Sequence, residues 1–227
     1  GRSKKRKGPS EKYILPILLI LLVVPVIVRM AVLPVDSEIS ELMYGMERNY
    51  DFFSYYKANT FVVFSLLAAV LCISYKWKMN EAYERSIAYI PILVYAVTMI
   101  LSATRSQYRG SAFFGTIDRY EGLYTLLGYL LVCVVCMNMV GSEKSVRYLL
   151  LSLGVSTAVI CLIGLFQLLG HDLFRSDFGM KLIIPGKYRD LVDKVNFKFD
   201  RTYTTLQNPN YVGSFMAMTS VLALTFL

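Results

Sequence analysis

The sequence predicts an all-α, polytopic membrane protein with about six transmembrane helices and a partly structured long outer loop. Hydrophobic residues fill 56% of the 227 positions and the mean hydropathy is +0.49, an apolar excess that a water-exposed surface does not accommodate. The excess is gathered into runs approaching the roughly 20 residues that cross a hydrocarbon core about 30 Å thick. Leu18 to Val24 is continuous Leu, Ile and Val, whereas barrel strands alternate polar with apolar over about ten residues. Backbone polar groups in lipid must be satisfied within their own segment, so the runs read as helices.

In chain order, residues 1–12 form a basic tail and 13–227 a multi-span membrane domain. The spans are expected at about 13–33, 60–75, 87–103, 123–140, 148–169 and 211–227. The first is too long, and too far from any small-residue cleavage pattern, for a removed signal peptide, so it is expected to be retained. Pro25 is expected to kink it, and Arg29 near its outer end to reach toward the headgroups. The last run reaches Leu227 without a polar stop, so the chain is expected to be the N-terminal half of a longer protein.

Orientation follows from charge. Of the 24 Lys and Arg residues, six (Arg2, Lys4, Lys5, Arg6, Lys7 and Lys12) directly precede the first span, which expects a cytoplasmic N-terminus. The net charge of +8 is therefore a topology signal and does not imply a nucleic-acid partner. The links 76–86 and 141–147 then lie inside, and the loops 34–59, 104–122 and 170–210 outside. Asp36, Glu38, Glu41, Glu47 and Asp51 make the first outer loop acidic. The second carries Arg105, Arg109 and Arg119 against the positive-inside tendency, and an anionic substrate at the outer face is one reason to keep them there.

The 41-residue third loop is expected to be ordered. Val195, Phe197 and Phe199 alternate with Asn196, Lys198 and Asp200 like a short strand, and Ile184-Pro185-Gly186 marks a turn. Cys72, Cys133, Cys136 and Cys161 all fall inside expected spans, where thiols are small packing residues rather than a disulfide framework or a redox pair. His171 is the only histidine and no ligand cluster surrounds it, so neither a metal nor another cofactor is expected.

Two motifs stand at the ends of spans. Gly115-Thr116-Ile117-Asp118-Arg119-Tyr120-Glu121-Gly122 precedes the fourth, and Arg201-Thr202-Tyr203, followed by Gln207-Asn208-Pro209-Asn210-Tyr211, precedes the sixth. In these stretches, GTIDRYEGL and RTYTTLQNPNYVGS, the chain resembles the O-antigen ligase and polymerase superfamily of bacterial envelope membrane proteins. The specific part of the likeness covers about twenty residues.

The resemblance implies a metal-independent membrane glycosyltransferase at the outer face of the bacterial cytoplasmic membrane. Its donor would be a polyprenyl-diphosphate-linked glycan and its partners a glycan acceptor and the lipid bilayer. Guanidinium groups suit a diphosphate leaving group, because they bind its oxygens bidentately and stabilise charge that develops on it. By motif position, Arg119 and Arg201 are the expected diphosphate contacts. Arg105, Arg109, Asn208, Asn210 and Tyr211 are further substrate contacts. The family's histidine lies in a later outer loop and His171 stands in a different one, so the general base is expected beyond Leu227, or else is Glu121 or Asp118.

Other readings of the same residues stand beside these. Asn208 and Pro209 suit an N-cap and first helical position whatever the substrate. Arg119 suits an interfacial ion pair with Glu121 or Asp118, or a headgroup contact. Tyr120, Tyr124, Tyr129, Tyr203 and Tyr211 suit an interfacial aromatic belt. A transporter or flippase for an anionic lipid or solute is the rival function. It expects ionisable groups near the midplane, whereas the charges here gather at span ends.

Overall fold

A computed structural model describes residues 11–33, 50–189 and 201–225. The fold is mostly helical. The chain divides into two compact units, the first of residues 1–24 and 58–153 and the second of 25–57 and 154–227. The basic tail, most of the acidic first loop and the alternating stretch around Phe197 lie outside the described residues.

The helices are α1 (Glu11–Val23), α2 (Tyr55–Met79), α3 (Tyr89–Arg105), α4 (Arg109–Phe114), α5 (Leu123–Met139), α6 (Glu143–Leu168), α7 (Asp177–Ile183) and α8 (Pro209–Thr225). Among the described residues, α2 and α6 are long and apolar enough to cross a membrane, at 25 and 26 residues. Of their most apolar windows, 28% and 11% are buried. Both extend past the apolar runs at 60–75 and 148–169, because their polar first turns are helical too. The carboxylate of Asp51 opens α2 by accepting from the backbone N–H groups of Ser54 and Tyr55, each at 2.8 Å. Asn80, at φ 50°, closes it.

The first expected span is shorter than its apolar run. Helix α1 ends at Val23, a 3-10 turn covers Val24–Val26, and Ala31–Val32 is a strand, β1. Pro25 ends the helix rather than kinking it, and the chain beyond finds extended partners. Strand β1 pairs antiparallel with β2 (Tyr50–Asp51), Ala31 opposite Asp51, and the Met30 N–H donates to the Ile183 carbonyl at 2.8 Å. Arg29 therefore sits in extended chain, its guanidinium 5.9 Å from the centre of the Tyr56 ring.

In the first unit, Ile14 and Ile17 of α1 pack with Ala68, Cys72 and Tyr75 of α2 and Val135 and Met139 of α5. Gly128 lets the Phe61 ring lie against α5, where a Cβ would stand 2.8 Å from that ring. Buried Asn138 is fully used: it donates to the Tyr89 hydroxyl at 2.7 Å and to the Val134 carbonyl, and accepts from the Glu84 N–H at 2.9 Å.

In the second unit, Met30, Phe52, Phe53, Phe174, Ile183, Ile184 and Tyr203 form one core. Phe53 meets the rings of Phe174 and Tyr203 edge-on, at centroid distances of 6.3 and 6.1 Å. The core thus brings both ends of the long loop 170–210 onto the chain around β1 and β2.

Candidate functional site

A cleft of about 1150 Å³ opens in the second unit. Its apolar wall is the last part of α6, with Val159, Leu162, Ile163 and Phe166. Gly170, at φ 82°, then reverses the chain, and the His171 N–H returns to the Phe166 carbonyl at 2.8 Å. The turn delivers His171, Asp172 and the 3-10 turn Leu173–Arg175 to one rim, while Arg201, Thr202 and Tyr203 line another part of it. The cleft therefore joins an apolar wall to the basic side chains of Arg175, Arg201 and His171.

One polar network ties the rims together. The Tyr203 hydroxyl donates to Asp172 Oδ2 at 2.6 Å, and Arg175 Nε pairs with the same oxygen at 3.3 Å. Asp172 Oδ1 accepts from the Phe174 N–H at 3.0 Å and from Gln167 Nε2 at 3.3 Å. Gln167 Oε1 in turn accepts from the N–H groups of Tyr203 and Thr204, at 3.1 and 2.8 Å. Burial, reinforced by the bond to Asp172, pushes the Tyr203 hydroxyl well above the usual phenol range, so it is a neutral donor.

The segment that follows is equally anchored. Thr205 donates through its hydroxyl to the Pro25 carbonyl at 2.7 Å, and Lys57 Nζ donates to the Thr205 carbonyl. The Asn208 side chain accepts from the Asn210 N–H at 2.9 Å and caps α8, with Pro209 in its first turn. Asn210 and Tyr211 are exposed on that turn, and none of these three lines the cleft.

The other motif belongs to the first unit and forms a tight turn. Thr116 and Arg119 exchange two backbone hydrogen bonds, at 3.0 and 2.9 Å, and Asp118 takes φ 66°. The Thr125 hydroxyl donates to the Tyr120 carbonyl at 2.8 Å. A Cβ on Gly115 would stand 2.6 Å from the Arg119 carbonyl oxygen, and one on Gly122 would overlap the backbone of Gly115. The two glycines allow this close approach and present Arg119 and Glu121 exposed. Arg105, at the end of α3, and Arg109, at the start of α4, are exposed as well.

Comparison with protein families, with curated proteins and with solved structures finds no match for the chain. The site is thus described by its own geometry. Of the residues singled out from sequence, Arg201 lines the cleft, while Arg105, Arg109, Arg119 and Glu121 belong to the other unit. Gln167, Asp172 and Arg175 had not been singled out, and His171 had been set aside. Arg119 and Arg201 were selected by their place in the two motifs, and Arg175 stands in neither. For Gln167 and Asp172 the local sequence holds no such signal.

Proposed function

We propose that the chain is part of a membrane glycan polymerase or ligase with about six transmembrane helices. It acts at the outer face of a bacterial cytoplasmic membrane, with the N-terminus inside. Its donor is a glycan carried on a polyprenyl diphosphate. The observation that carries this reading is the cleft, where an apolar wall on a helix long enough to cross a membrane meets Arg175 and Arg201. An anionic lipid has the matching chemistry, with acyl or prenyl carbons against Leu162, Ile163 and Phe166 and an anionic head against the guanidinium groups.

In the reaction, an acceptor hydroxyl attacks the anomeric carbon of the donor glycan. The new glycosidic bond forms as the bond to the diphosphate breaks. The hydroxyl proton passes to a general base that lies beyond Leu227 or, as the second choice, is Glu121 or Asp118. The polyprenyl diphosphate leaves with the bonding pair, and guanidinium donors that bind this charge more tightly as it develops lower the barrier. In the second unit Arg201 is assigned that role, with Asn208, Asn210 and Tyr211 as substrate contacts; in the first unit, taken by itself, Arg119 is assigned it by motif position alone, with Arg105 and Arg109 as substrate contacts.

The test is the profile of polyprenyl-diphosphate-linked glycans in source cells lacking the gene, beside cells complemented with the wild type or with Arg201→Ala. Lipid-linked glycan that accumulates in the deletion strain and in the Arg201→Ala strain supports a transferase. Single units point to a polymerase and untransferred chains to a ligase. A profile identical in all three strains overturns the proposal in favour of transport.

A further inference from the structure

We propose that Asp172 is a positioning residue of the cleft, a carboxylate that holds the direction of Arg175 and fixes the backbone beside Arg201. The inference rests on the cleft's reading as a seat for an anionic lipid head.

Asp172 is 11% exposed at its side chain, and within the second unit it accepts three hydrogen bonds and forms an ion pair with Arg175. The ion pair, through Arg175 Nε, restricts a side chain that is itself half-exposed. The backbone beside the other arginine is held indirectly. The chain just after Arg201 is tied to Asp172 twice, through the Tyr203 hydroxyl and through Gln167, which spans from Asp172 to the Tyr203 and Thr204 N–H groups. Thr204 holds φ 49°, a conformation that a β-branched residue adopts only when its surroundings impose it. Gln167 accepts from the Thr204 N–H in this conformation, at 2.8 Å. Released from Asp172, the Arg175 guanidinium and the backbone that carries Arg201 would sample many directions, and ordering them on a ligand would cost entropy at the moment of binding.

The sign of one substitution separates positioning from plain electrostatics. Asp172 is a negative charge beside a cationic cleft, so by Coulomb's law alone its neutralisation should tighten the binding of an anion. If Asp172 positions the arginines, neutralisation weakens binding instead. The probe is farnesyl diphosphate, titrated into the purified full chain in nanodiscs.

The wild type is expected to bind, and Asp172→Asn to bind at least roughly tenfold more weakly, the scale of one charge-assisted hydrogen bond. In an Arg175→Gln background the same change is expected to cost much less, because one of the groups it orients is gone; a merely structural role would cost the same in both backgrounds. Affinity that rises or stays level in Asp172→Asn, or losses that simply add with Arg175→Gln, overturn the positioning role. A wild type that does not bind the probe overturns the lipid-head reading itself. Should Asp172→Asn prove unfolded by thermal unfolding, Tyr203→Phe keeps the ring in the core and cuts one tie. It is expected to weaken binding severalfold, and unchanged affinity there overturns the role.

Discussion

Gly164 of α6 makes room for Thr204: a Cβ on the glycine would stand 3.1 Å from Thr204 Cγ2 and 3.3 Å from Thr202 Cγ2. The segment that follows Arg201 thus packs its threonine methyls directly on the helix that walls the cleft.

Gly164→Leu should therefore displace residues 202–204. The overpacking is expected to destabilise the protein by about 1–3 kcal/mol, and the displacement to weaken the cleft's hold on farnesyl diphosphate. Gly164→Ala should be far milder, because Thr204 Cγ2 must yield only a few tenths of an ångström and Ala favours the helix by up to about 1 kcal/mol. Thermal midpoints of the purified variants check both, and a Leu variant as stable as the wild type would mean that the contact is loose.

Asp51→Ala removes the acceptor for the Ser54 and Tyr55 N–H groups and for the Ser54 hydroxyl, bonded at 2.6 Å. Loss of this cap is expected to cost about 1–2 kcal/mol, read as a lower denaturation midpoint, and Asp51→Asn should recover part of it.

The raised Tyr203 titration has a definite sign. A hydroxyl whose folded-state pKa lies above its unfolded value, near 10, stabilises fully below that value, and the contribution fades as pH rises through the higher folded one. Stability of the wild type should be insensitive to this group at neutral pH and decline in strong alkali. In Tyr203→Phe that part of the alkaline decline should vanish, at a cost of about 1–3 kcal/mol at neutral pH for the buried acceptor left with one partner fewer. Thermal midpoints across pH 7–11 for the two proteins decide this.

At Gly122 the atoms that a Cβ would meet are the backbone of Phe113, Phe114 and Gly115, which cannot swing aside as a side chain can. Gly122→Ala is expected to destabilise by about 3 kcal/mol or more and to reduce the amount of folded protein recovered from membranes. Recovery and thermal midpoint equal to the wild type would show that the turn is not packed this way.

Arg119→Ala and Arg201→Ala are surface truncations and should leave membrane insertion and thermal stability within about 0.5 kcal/mol of the wild type. Each is expected to abolish glycan transfer, measured as acceptor labelling in membranes. Wild-type transfer by both would remove those assignments.

The helices were legible because their signals are local. Continuous apolar residues mark α2 and α6, and the Asn208-Pro209 pair announces the start of α8 as a cap and first-turn proline, as observed. The same local reasoning failed between Val24 and Leu33. The run is apolar apart from Arg29, yet β-branched residues around Pro25 leave the chain free to extend, and pairing with Tyr50, Asp51 and Ile183 outweighed hydropathy. The fold uses the two glycines of GTIDRYEG to bring two backbone segments into contact.

By itself the sequence determined an apolar, helix-forming chain, the positions of its long helices, the cap of α8 and the gathering of charge at span ends. Each of these follows from residues within a few turns of one another, which is the range of backbone hydrogen bonding in a helix. Only the tertiary structure decided that Arg201 shares its cleft with Arg175, and that Asp172 joins Arg175 to Tyr203. Those bonds close loops of some thirty residues through side chains such as Gln167 to Thr204 and Asp172 to Tyr203, and such pairings carry no period along the chain to betray them.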